Sequence, residues 1–94
     1  MRKYELMIIL PPESDEARVG AVLERVTQAL ADQGKVGNVD RWGKRRLAYQ
    51  LGENSDGYYL LVEFDAEPDA ISELQRTLTL ADDVVRHKVV VRAA

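Results

Sequence analysis

The apolar residues of this chain recur with two different periods, about every second residue and about every 3.6 residues. The order in which those periods alternate restricts the fold more than any single motif. Residues 2–10, RKYELMIIL, read as a strand, and Pro11 and Pro12, which have no N–H to give a ladder, end it. Ser14 or Asp15 is placed to cap a helix whose stripe is Val19, Val22, Leu23, Val26 and Leu30, with Gly34 as its stop. Strand composition returns from Val36 to about Leu51, where Gly37 and Gly43 mark bulges or bends. The polar run GENSDG then turns the chain into YYLLVEF. Pro68 and Asp69 open a second helix carrying Ile71, Leu74 and Leu78, and Val84 to Arg92 is β-branched and strand-like.

The order β-α-β-β-α-β predicts an α+β, ferredoxin-like sandwich: a four-stranded antiparallel sheet with both helices on one face, forming a single domain over residues 1–94. Right-handed crossovers place the first and third strands in the centre and the second and fourth at the edges. Parity then assigns the faces. Tyr4, Leu6, Ile8 and Leu10 are expected to face the helices, with Lys3, Glu5, Met7 and Ile9 on the other side. Glu63 facing outward puts Tyr59 and Leu61 on that open side, and in the last strand Arg86, Lys88, Val90 and Arg92 join them while Val85, His87, Val89 and Val91 turn inward.

Charge is sorted along the chain in a way the net value of −3 conceals. Residues 53 to 83 carry nine acidic side chains against one basic, Arg76, whereas Arg41, Lys44, Arg45 and Arg46 fall within six residues. An acidic chain does not grip nucleic acid by bulk electrostatics, but a local cationic strip suits phosphate, through the forked guanidinium of Arg and the point charge of Lys. The same residues could instead serve only to keep sheet edges from pairing with other chains. Met7, Ile9, Tyr59 and Leu61 would form an apolar centre on the open face, the kind of patch that docks a protein partner. On this reading Tyr59→Glu impairs docking and leaves the fold intact.

Several function classes lose support. With no cysteine and one histidine, the chain has no disulfide framework, no thiolate nucleophile and no Cys-based zinc site. His87 stands alone among valines as a half-buried core residue, and Asp82 and Asp83 read as a polar turn, too few carboxylates for a calcium loop. There is no Gly-rich phosphate cradle and no nucleophile paired with a base, so no enzyme, cofactor, metal or small-molecule substrate is expected. The apolar run near the N-terminus is too short to span a membrane. Trp42 is expected to pack at a bend beside Gly43. Two binding modules remain as rivals on this fold: an RNA-recognition-motif-like domain stacking bases on exposed sheet aromatics, and a dimeric regulatory domain using the open sheet for self-association.

Three segments, MRKYELMIIL, WGKRRLAYQL and LADDVVRHKVVVR, resemble in the same order the family of the sixth protein of the bacterial small ribosomal subunit. The Trp-Gly-basic-basic-x-Leu-Ala-Tyr run is the most specific of them; Gln50 departs from the proline common after Leu-Ala-Tyr. The resemblance implies a cytoplasmic, ribosome-bound protein that binds the central domain of small-subunit ribosomal RNA together with the eighteenth small-subunit protein. Carried over residue by residue, Arg2 and Tyr4 match the first motif, Arg45, Arg46 and Tyr49 the second, and Arg86 and Arg92 the last. The expected RNA-binding set is Arg2, Arg41, Lys44, Arg45, Arg46, Arg86, Lys88 and Arg92; the expected partner patch is Met7, Ile9, Tyr59 and Leu61.

Overall fold

The computed structural model describes residues 1–48 and 54–92, with the side chains of 46–48 and 54–56 outside that description. The elements are β1 (Arg2–Leu10), α1 (Glu16–Leu30), a short 3-10 turn (Ala31–Gln33), β2 (Gly34–Ala48), β3 (Asn54–Ala66), α2 (Pro68–Leu80) and β4 (Arg86–Val91). The strands form one antiparallel sheet in the order β2-β3-β1-β4, the ferredoxin-like arrangement with β1 and β3 inside.

The core lies between the sheet and the helices. Tyr4, Leu6, Ile8 and Leu10 of β1 and Leu60, Val62 and Phe64 of β3 meet Val19, Val22, Val26 and Leu30 of α1 and Ala70, Leu74 and Leu78 of α2. Each fully buried Leu, Ile or Val there contributes roughly 1.5–3 kcal/mol by leaving water. Tyr4 and Phe64 are register partners and stack with centroids 5.3 Å apart. Of the two candidate caps, Asp15 takes the role: its carboxylate accepts from the Arg18 N–H at 3.0 Å, while the Ser14 hydroxyl donates to the Pro11 carbonyl at 2.6 Å. Pro68 opens α2 from its first turn, where a missing N–H costs nothing.

Four details differ from the sequence expectations. Helix α1 ends at Leu30 rather than running to Gly34, because Ala31 turns to a φ of 52° and the chain tightens into the 3-10 turn. Ile71 and Leu23 are only partly buried, so Ala70 joins Leu74 and Leu78 on the inner stripe of α2. The last strand is shorter than Val84 to Arg92. It is also poorly covered: Val91, expected inward, is 65% exposed, as is Val85 just before the strand, because an edge strand has a sheet neighbour on one side only. The polar turn before it holds, with Asp83 paired to Arg25 at 3.4 Å.

Strand β2 is long and irregular. Its pairing with β3 shifts between Val36 and Val39 and again between Arg41 and Gly43, one extra residue on β2 each time. Gly43 holds a φ of 77°, a left-handed conformation that side chains resist, and Trp42 sits in this second bulge 39% exposed rather than packed. Beyond the end of β1, residues 54–57 of β3 pair with β2 alone, so the two strands continue as a two-stranded ribbon.

Candidate functional site

Residues paired across an antiparallel sheet point to the same face, so the register writes out the open surface row by row. The first row runs Arg86, Ile9, Tyr59, Gly43, and the second runs Lys88, Met7, Leu61, Asp40. The next brings Val90, Glu5 and Glu63 together, and the last aligns Lys3, Asp65 and Lys35, with the Arg92 N–H donating to the Lys3 carbonyl at 2.9 Å. An apolar centre with Arg86 and Lys88 exposed at the β4 border is therefore present.

The centre is less open than parity alone implies. Ile9 is 3% exposed and Tyr59 is fully buried, although neither belongs to the cluster under the helices. Gly57, two residues before Tyr59 on the same strand and face, leaves room for both side chains to come together on the sheet. A methyl group on Gly57 would come within 2.6 Å of Ile9 Cγ2 and 3.5 Å of Tyr59 Cε1. Ile9 and Tyr59 thus form a small second core, and of the four expected patch residues only Met7 and Leu61 remain half-exposed. Tyr59→Glu would place a carboxylate in a dry position and unfold the chain rather than spare the fold. With Tyr59 covered, no exposed ring stands on the described open face of β1 and β3, which removes the stacking platform of a recognition-motif-like domain.

The basic residues of β2 do not share one face. Arg41 is in register with Leu60 and points to the helix side, where its Nε lies 3.1 Å from Glu16 Oε1; the first bulge has reversed the alternation before it. Lys44 pairs with Tyr58 and falls on that same side, whereas Arg45 pairs with Gly57 and falls on the open side. Arg46 is in register with Asp56, but its side chain, like Tyr49 and Gln50 entirely, lies outside the described residues. Arg2 is exposed on the helix side, in register with Ala66 at the end of β1 remote from Arg86. Arg92 is on the open side as expected but is not a free cation: its guanidinium bonds Glu63 and lies 3.5 Å from Asp65 Oδ1. The β2 border of the open face also carries an acid, Asp40, directly before Arg41 in the chain.

His87, in register with Ile8 on the helix side, is half-buried, and this desolvation holds its imidazole below the ordinary value of 6.5, so it is neutral at pH 7. Among the described residues no group of three or more His, Cys, Asp or Glu side chains could hold a metal ion. The groove lined by Arg25, Thr77, Leu80, Ala81, Asp82 and Asp83 shares no residue with the open-face rows.

A sheet whose open face offers cations beside a half-exposed apolar strip is a binding surface rather than a reaction centre. The family profile described as Ribosomal protein S6 matches residues 3–91. The chain belongs to the ribosomal protein S6 family. The small ribosomal subunit protein bS6 of Desulforamulus reducens is 43% identical over 91 residues, covering 96% of each chain. That of Thermobifida fusca is 47% identical over 90 residues, covering 95% of this chain and 94% of its own. The crystal structure of 30S ribosomal protein S6 from Thermotoga maritima superposes with a TM-score of 0.79 at 27% identity, covering 97% of this chain and 87% of that one. As an S6 family member the protein is a small-subunit component of the ribosome, working in translation in the cytoplasm, in a family not known to be enzymatic. No helix among the described residues is long and apolar enough to cross a membrane.

Proposed function

We propose that this S6 protein binds the central domain of small-subunit ribosomal RNA jointly with the eighteenth small-subunit protein. Arg86 and Lys88 at the β4 border, with Arg45 and Arg46 on the ribbon and Lys44 at its base, meet phosphates; Met7 and Leu61 dock the partner. The observation that carries this reading is the pair of open-face rows in which exposed Arg86 and Lys88 flank half-exposed Met7 and Leu61. Phosphate binding needs only a local strip of this kind, and the acidic remainder of the chain suits a basic companion.

The test is the salt dependence of binding to transcribed central-domain RNA in the presence of the companion protein. Replacing Arg45 and Arg86 together by Gln should lower the slope of log K against log salt by about one unit per lost phosphate contact. An unchanged slope removes the RNA assignment.

A further inference from the structure

Strand β4 presents the cationic border, yet none of its side chains is fully buried: Arg86, Lys88, Val90 and Val91 are exposed, and His87 and Val89 only half-buried. Packing alone therefore holds it weakly. One interaction ties it to the rest of the sheet across an intervening strand. Arg92 follows directly on β4, and its guanidinium passes over β1 to reach Glu63 and Asp65 of β3. Its backbone N–H is bonded to Lys3 of β1, so side chain and main chain bind two different strands.

The recipients are residues that need a cation. Glu63 sits directly opposite Glu5, a like-charge cross-strand pair that is unfavourable by itself. Asp65 Oδ1 is shielded from solvent without a hydrogen bond, and Arg92 Nη2 stands 3.5 Å from it. Moving Arg92 out to a phosphate would leave Glu5, Glu63 and Asp65 facing one another with one compensating charge fewer. Its side chain is 23% exposed, whereas Arg86 and Lys88 reach solvent freely.

We propose that Arg92 is a latch: a positioning residue that fastens β4, and with it Arg86 and Lys88, to the sheet, and that it does not itself contact phosphate. The inference rests on the RNA-binding reading above. It separates two roles that a count of basic residues merges.

The two roles predict opposite responses to Glu63→Gln. If Arg92 is a latch, the variant loosens β4: exchange of the Val85 amide, which bonds Ile9 at 2.8 Å, speeds up about threefold, and the RNA salt slope stays at the wild-type value. If Arg92 is a phosphate contact restrained by Glu63, the variant frees it, and the slope steepens by about one unit with tighter binding. Arg92→Gln gives the second reading: unchanged slope with faster Val85 exchange supports the latch, and a slope lowered by about one unit overturns it. Arg86→Gln is measured beside them. Should it leave the slope untouched, the RNA-binding reading itself fails; should it lower the slope while Glu63→Gln steepens it, only the latch fails.

Discussion

Tyr59→Ala tests whether the open face carries a second core. The ring is fully buried on the side away from the helices, in register with Ile9 and Gly43. Removing a buried aromatic costs about 3–5 kcal/mol, the sum of lost transfer free energy and the cavity left behind. A chain of this length is stable by roughly 5–14 kcal/mol, so the variant should lose a large part of its stability and still fold under mild conditions. With a urea m-value of about 2 kcal/mol/M, the unfolding midpoint should fall by about 2 M without a change of slope. Leu61→Ala, two residues along on the same face but half-exposed, should cost only about 1 kcal/mol and act chiefly on partner binding. Equilibrium urea denaturation followed by circular dichroism measures both. Equal losses of about 1 kcal/mol at the two positions would refute the second core and return Tyr59 to the docking surface.

Gly57 and Gly43 should respond for different reasons. Gly57→Ala meets Ile9 Cγ2 at 2.6 Å and the Leu10 carbonyl at 3.2 Å, an overpacking expected to cost about 1–3 kcal/mol by urea titration. Gly43→Ala has open space around it but must hold a φ of 77°, so a smaller loss of about 1–2 kcal/mol is expected from strain alone. His87 sets a pH dependence. Its folded-state value lies below 6.5, so between the two values the unfolded chain binds more protons, and stability falls as pH drops from 7 through 6.5 toward the folded value. His87→Gln should flatten that part of the profile when urea midpoints are compared at pH 7.5 and 5.5.

Much of the architecture was readable because single residues fixed whole strands. Unbroken apolar character at Tyr4, Leu6, Ile8 and Leu10 set the inner face of β1, and the charge of Glu63 set β3. Those two strands then fixed the sides of Arg86, Lys88 and Arg92 through the register. Alternation alone does not give the faces of β2, where the extra residue between Val36 and Val39 turns Arg41 to the helix side. Glycines announced such irregularities, but not how many residues each would add. Burial of Ile9 and Tyr59 was hidden for a related reason: Ile9 becomes the neighbour of Tyr59 and of the space beside Gly57 only once the register of β1 on β3 is known. The pairing of Arg92 with Glu63 and Asp65 joins strands two places apart, a relation no local pattern encodes.

The inner position of β1 has a consequence for how this polypeptide is made. Of the four strands, β1 is made first and lies between the two made last, with Tyr4 opposite both Phe64 and Val91. Its edges are satisfied one after the other, and the second only when the fourth strand has emerged. A nascent fragment lacking residues 86–91 has a half-paired central strand and none of the Arg86 and Lys88 charge, so the sheet and the β4 border of its open face are completed only when the fourth strand has been made.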